Sequence, residues 1–225
     1  MTATLSEPGP AATAPRLIGG LAADPRSAGG GSVRVLVQGK ALLTVPREIA
    51  QAEGLAPGML LGEPLYARLC RAADEEAAYR TALRFLERRP FAARDLTRRL
   101  VLKGHPPEAA TAAVGRAQAA GLVDDARFTL HYVETRAARG RGPLRLRRDL
   151  AALGVERSLV DRALSEAFGA DGGQAPSVEA VARKRLAQLK GLPRPVLRRR
   201  LLAYLARRGF VGDAVQRVVG ELVGR

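Results

Sequence analysis

The sequence predicts a mainly α-helical protein: three tandem three-helix repeats, preceded by a small N-terminal module containing a β-hairpin. Three observations carry that expectation. Gly104, Gly154 and Gly209 recur at spacings of 50 and 55 residues, each with leucines eight and four positions earlier: Leu96 and Leu100, Leu146 and Leu150, Leu201 and Leu205. Six and ten positions after each glycine stand Ala110 and Val114, Val160 and Leu164, and Val215 and Val219. Fourteen positions before each glycine lies a breaker: Pro90, Gly140 or Pro195. Four-residue spacings place each apolar pair on one helix face. Glycine suits the left-handed residue that ends a helix, because it has no Cβ to clash there.

Residues 1–31 hold six glycines and four prolines and few large apolar side chains. That composition offsets little chain entropy and predicts a disordered leader. Gly29–Ser32 lacks the Gly-Lys-Ser/Thr ending of a phosphate loop.

Residues 32–71 form the second segment. Val33, Val35 and Val37 alternate with Arg34, Leu36 and Gln38; Gly39-Lys40 makes a two-residue turn, and Ala41–Val45 is a second apolar run. Pro46 then opens a short helix that Gly54 ends. The stretch Leu43-Thr44-Val45-Pro46-Arg47-Glu48-Ile49, with Gly54-Leu55-Ala56-Pro57-Gly58, resembles half of an AbrB-type DNA-binding hairpin. The second strand pair of that pattern is missing after Leu61, which makes a small packing module the preferred reading.

The repeats follow over 72–123, 124–172 and 173–225. Their first helices carry the stripes Tyr79, Leu83 and Leu86; Phe128, Tyr132 and Thr135; and, more loosely, Val181, Leu186 and Leu189. Gly172-Gly173-Gln174-Ala175-Pro176 links the last two repeats, with Ser177 as N-cap. A unit of this size is marginal alone, so neighbours are expected to stack.

Composition narrows the function. Of 225 residues 47% are apolar and 26% charged, which is globular, and no uncharged apolar run is long enough to span a membrane. No secretory signal is visible, Cys70 has no second cysteine to pair with, and His105 and His131 cannot build a zinc site with it. A reduced, cytoplasmic protein without metal or cofactor is expected. Lys and Arg number 37 against 22 Asp and Glu, and residues 75–225 alone carry 30 against 16. That excess attracts polyanions or an acidic protein surface.

No catalytic constellation is legible. Asp124 and Asp125 are adjacent, so their side chains do not converge on a helix, and their place before a helix marks them as capping residues. The chain reads as a non-enzyme. Binding is better supported: Arg94, Arg98, Arg99 and Lys103 in the first repeat, Arg145, Arg147 and Arg148 in the second, and Arg198, Arg199, Arg200, Arg207 and Arg208 in the third all belong to middle helices. The leucines interleaved with them face inward, leaving the cations to phosphates or carboxylates. Counted back from the cap glycines, the basic positions do not coincide, so a charged surface is expected rather than a repeated code. Phe85, Phe128, Tyr132 and Tyr204 fit apolar stripes and are expected in the core rather than as base-stacking platforms.

Three stretches together carry a family resemblance: Leu83…Leu86-Glu87-Arg88-Arg89-Pro90-Phe91…Asp95-Leu96…Leu100…Lys103-Gly104; Gly121-Leu122-Val123-Asp124-Asp125-Ala126-Arg127-Phe128; and Arg136…Gly140…Gly142-Pro143…Leu150…Leu153-Gly154-Val155. Over roughly residues 76–223 the chain resembles the RecX family, regulators of the RecA recombinase. Thr129 departs from the small apolar residue the family places after the aromatic. The resemblance implies three tandem three-helix repeats in an elongated curved molecule, without a catalytic site. It also implies binding to the RecA–DNA filament, inhibition of ATP hydrolysis and strand exchange, and weak, sequence-independent contact with single- and double-stranded DNA. Recombination, DNA repair and the SOS response are the processes so modulated. The twelve basic residues are the candidate contacts, and a monomer is expected. The alternative is a sequence-specific DNA-binding transcription regulator, resting on the half hairpin and the likeness of three-helix units to helix-turn-helix domains.

Overall fold

The computed structural model of the chain describes residues 16–25, 31–169, 175–189 and 191–224. Four strands come first with one short helix among them: β1 (Arg16–Ala23), β2 (Ser32–Val37), β3 (Lys40–Pro46), α1 (Arg47–Ala52) and β4 (Leu60–Leu61). Helices follow: α2 (Glu63–Leu86), α3 (Ala93–Leu102), α4 (Pro107–Ala119), α5 (Asp125–Ala137), α6 (Pro143–Ala152), α7 (Arg157–Phe168), α8 (Val178–Leu186), α9 (Arg194–Arg208) and α10 (Asp213–Gly224). Packing divides the described residues into two units. One unit takes in the described residues up to Arg84 with Leu100–Arg116, the other Phe85–Arg99 with the described residues from Ala117 onward.

In the first unit an antiparallel sheet is ordered β3-β2-β1-β4. The hairpin is present, but its loop is Gln38-Gly39, one residue earlier than the expected Gly39-Lys40. Both loop residues have positive φ, 51° and 75°, which matches the twist of the flanking strands, and Lys40 already pairs with Val37. The expected disordered leader is overturned over Arg16–Ala23. This stretch forms an inner strand between β2 and β4 and buries Ile18. Prolines and glycines on either side dilute its apolar residues in any whole-segment average. The rest of the expected leader, residues 1–15 and 26–30, lies outside the described residues, as do Gly172–Gln174 of the expected linker.

Ile18, Val35, Val45, Ala50, Leu55, Leu61 and Leu69 form the core beneath this sheet, with Leu65, Tyr66, Ala72 and Ala73 packed against it. The expected boundary at residue 71 is therefore no break: α2 starts at Glu63 because its first half is the floor of the sheet. Further along, buried Glu76 accepts hydrogen bonds from Ser32 Oγ (2.7 Å), Arg80 Nε (3.0 Å) and Arg116 Nη1 (2.9 Å). Arg80 also pairs with buried Asp24. Two desolvated carboxylates are thus compensated by two guanidiniums and a hydroxyl, tying the sheet to α2 and α4.

All twelve apolar positions that define the repeat are buried, the six leucines completely. The three cap glycines are left-handed, with φ of +93°, +80° and +93°. Each repeat closes its middle helix identically: His105, Val155 and Phe210 donate their backbone N–H to the carbonyls of Leu100, Leu150 and Leu205 (3.2, 3.1 and 2.9 Å). The first helices match expectation in part: Phe128, Val181 and Leu189 of the expected stripes are buried, whereas α2 is rotated away from its stripe. Ala78 and Ala82 are buried in α2; Phe128, Thr129, Val133 and Ala137 in α5; Val181 and Ala182 in α8. Tyr79, Leu83, Leu86, Tyr132, Thr135 and Leu186 are only half-buried, since small side chains allow the closer helix approach. Thr129 is fully buried, its hydroxyl donating to the Asp125 carbonyl at 2.6 Å.

Within the second unit, successive repeats meet at the cap glycines. Gly142 N and Leu144 N, at the start of α6, donate to the carbonyls of Arg208 (2.7 Å) and Gly209 (3.2 Å) at the end of α9. A Cβ on Gly142 would lie 2.6 Å from Gly209, and one on Gly209 would collide with the Arg145 backbone. One repeat earlier, a Cβ on Gly154 would lie 2.7 Å from the Arg94 side chain. Asp124 caps α5 by accepting from Arg127 N at 3.0 Å, as expected. Asp125 instead reaches the first turn of α3, accepting from Ala93 N at 2.8 Å. Among the described residues no helix is long and apolar enough to cross a membrane.

Candidate interaction surface

A middle helix that buries leucines four apart must turn the residues between them outward. The structure does this three times, in α3, α6 and α9. It does not leave the twelve predicted cations equivalent.

In α3 the buried carboxylate of Asp95 accepts from Arg98 Nη2 at 2.6 Å and Arg99 Nε at 2.8 Å. Burial pushes the Asp95 pKa upward, but the hydrogen bonds from Arg99 and Arg98 outweigh it and hold the carboxyl below its ordinary value. Arg99 also lies over the Phe91 ring. Arg94 is exposed, its stem against Gly154, and Lys103 is exposed just beyond the helix with no partner among the described residues.

In α6 Arg145 pairs with Asp149 at 3.0 Å, a carboxylate shared with Arg141 at 2.6 Å. Arg147 reaches Asp161 of α7 at 2.7 Å, and that hydrogen bond holds the Asp161 carboxyl below its ordinary value. Only Arg148 is exposed without a partner among the described residues.

Helix α9 differs. It carries six arginines and no acid. Arg199, Arg200 and Arg207 are exposed with no partner among the described residues, and Arg198 donates only to the Gln216 amide oxygen at 3.1 Å. Arg208 is half-buried and structural: it donates to the Arg139 carbonyl at 2.7 Å and lies beside the Tyr204 ring. Arg194, in the first turn of the same helix, is a further exposed cation that the sequence reading passed over. Its position before Pro195, in what was read as a break, hid it; Pro195 sits inside the first turn, where a missing N–H costs nothing.

The aromatic side chains divide. Phe128 is buried as expected, while Phe85, Tyr132 and Tyr204 are only half-buried. Phe85 packs against Phe91 with ring centroids 5.8 Å apart. The ring faces of the two tyrosines are occupied by arginines, Arg136 standing 4.1 Å over Tyr132 and Arg208 5.2 Å from Tyr204. Arg116 covers Tyr79 at 3.9 Å in the same way. His105 shares a hydrogen bond with the Thr81 hydroxyl at 2.9 Å, and burial, with nearby Arg84, lowers its pKa. No group of His, Cys, Asp and Glu among the described residues is arranged to hold a metal. The surface presents guanidiniums, densest on α9, which suit phosphate or carboxylate oxygens.

Family profiles match each repeat in turn. The first three-helix domain of RecX matches residues 78–116, the second 124–164 and the third 177–219. The regulatory protein RecX of Stenotrophomonas maltophilia strain R551-3 is 35% identical over 144 residues, covering 64% of this chain and 85% of that relative. The regulatory protein RecX of Xanthomonas axonopodis pv. citri strain 306 is 34% identical over 142 residues, covering 63% and 85%. A crystal structure of a regulatory protein RecX superposes with a TM-score of 0.71 at 21% identity, covering 93% of this chain and 98% of its own. That of RecX from Lactobacillus salivarius gives 0.56 at 16% identity, covering 66% and 96%. Both structural likenesses show a shared fold.

Proposed function

This chain belongs to the RecX family, and from that premise we propose that it is a non-enzymatic negative regulator of the RecA recombinase. It engages the RecA–DNA filament, slows ATP hydrolysis and strand exchange, and so restrains recombination, repair and the SOS response in the cytoplasm. The observation that carries this reading is α9, whose six arginines have no acid on their own helix. Arg148 on α6 and Lys103 just beyond α3 extend unneutralised charge to the other repeats. Phosphate-directed cations position a protein on nucleic acid without reading its sequence. Contact with single- and double-stranded DNA alone is therefore weak and sequence-blind, and a monomer gains affinity by touching the filament through several repeats at once.

The test is ATP hydrolysis by the cognate RecA on single-stranded DNA while this protein is titrated. The expected result is inhibition well below one molecule per recombinase protomer. No effect at saturation and low salt would overturn the proposal.

A further inference from the structure

The third repeat contains a concavity that charge alone does not account for. Between α9 and α10 runs a groove of about 310 Å³, lined chiefly by Leu202, Ala203, Ala206, Phe210, Val211 and Val215. Val211 is 56% exposed at its mouth. At the equivalent place in the second repeat the two helices are joined by an ion pair. Arg147 lies seven positions before its cap glycine and Asp161 seven after, and the two join across α6 and α7 at 2.7 Å. The residues at those positions in the third repeat are Leu202 and Gln216. Where one repeat bridges its helices with an ion pair, the other leaves an apolar floor open to solvent.

The rim of this groove is cationic. Arg199 continues the Leu202–Ala203–Ala206 face one turn toward the helix start, Arg198 holds Gln216 at the edge, and Arg207 follows Ala203 by one turn. Asp213 is the acid nearest in sequence to the lining residues, against these three cations. A phosphate backbone has no use for an apolar floor, and an uncharged peptide has none for the arginines. An amphipathic helix with apolar residues on one face and carboxylates beside them satisfies both.

We infer that the α9–α10 groove docks an acidic amphipathic segment of a partner protein, its apolar side chains on the Leu202–Val215 floor and its carboxylates on Arg198, Arg199 and Arg207. This goes beyond the filament reading and does not depend on it. DNA bound by the α9 arginines would leave the floor empty; a second copy of the chain would bring arginines to arginines.

The experiment uses the full chain and a fluorescent helical peptide with leucines at i, i+4 spacing between glutamates, followed by anisotropy. A scrambled peptide of identical composition is the control. Two variants probe the floor: Val211→Ser, at an exposed position outside the buried core, and Leu202→Arg with Gln216→Asp, which installs the second repeat's ion pair without changing net charge. The expected result is saturable binding of the patterned peptide, weakened about tenfold by scrambling and by either variant, with thermal unfolding and single-stranded DNA binding unchanged for Val211→Ser. Equal binding of the scrambled peptide would overturn the inference, as would undiminished binding to Val211→Ser. So would a dimer of the chain that Val211→Ser dissolves. ATPase inhibition of RecA is read separately, so failure here and failure of the filament proposal are distinguishable.

Discussion

Helices α6 and α9 are the same element carrying two different surfaces. Both bury leucines four apart, both close on a left-handed glycine, and both hand the second leucine's carbonyl to the residue after that glycine. Outside that frame they diverge. Helix α6 answers Arg145 and Arg147 with Asp149 and Asp161, whereas α9 has no acid and leaves Arg199, Arg200 and Arg207 to solvent. The inward pattern is constrained by packing, so it repeats; the outward pattern is constrained only by what it touches, so it does not. Repetition in this chain therefore marks structure, and its failure marks the positions that packing leaves free.

The largest expected effect tests the frame. Gly209 and Gly104 share φ of +93°, but only Gly209 has the Arg145 backbone where a Cβ would go; Gly104 faces open space. Gly209→Ala should cost about 3 kcal/mol or more, combining left-handed strain with overpacking, while Gly104→Ala should cost about 1 kcal/mol from strain alone. Urea unfolding measures both. Equal losses would mean that the close approach of α9 to α6 contributes nothing.

The second effect tests the surface. Replacing Arg199, Arg200 and Arg207 by Ala should lower the slope of log affinity against log salt by about 2 to 3 for single-stranded DNA. The equivalent change at Arg145, Arg147 and Arg148 should lower it by only about 1, since two of those three already have carboxylates. Fluorescence anisotropy between about 50 and 200 mM salt reads the slopes. Indistinguishable triples would erase the contrast between α6 and α9. A smaller gain of function sharpens it: Asp161→Asn releases Arg147 and Arg157 and should raise the slope by less than about 1.

The inward frame was legible because it has a period. Leu146 and Leu150 before Gly154 announce a helix face and its end, and burial followed at all twelve such positions. Strand β1 was not legible: Leu17, Ile18 and Leu21 surround two glycines, and only pairing with both β2 and β4 makes the stretch a strand. Helix α2 misled because reading by size favours Tyr79 and Leu83, while packing chose Ala78 and Ala82. On the surface, Asp149 four residues after Arg145 could be read as a pair from spacing. Arg147 with Asp161, and Arg208 with the Arg139 carbonyl, join separate elements and needed the fold. Asp125 taught the same lesson, since its partner Ala93 lies 32 residues away.

The smallest effect is a pH dependence that α3 should show and α9 should lack. Asp95 titrates below the ordinary carboxylate value when folded, because the hydrogen bonds from Arg99 and Arg98 outweigh its burial. As pH falls from the ordinary value toward the folded one, the unfolded chain takes up a proton before the folded chain does. The stabilisation from this pair is therefore complete above the unfolded value and lost as pH drops through the folded value. Arg98 and Arg99 are 58% and 41% exposed, so water screens the pair and the contribution should stay below about 1 kcal/mol. Urea midpoints for the wild type and Asp95→Asn should differ by a constant amount above about pH 4 and converge below it. Curves that stay parallel throughout would mean that Arg98 and Arg99 do not favour the ionised carboxylate. Those two arginines would then be as free for a partner as Arg199 and Arg200, and α3 would belong with α9 rather than with α6.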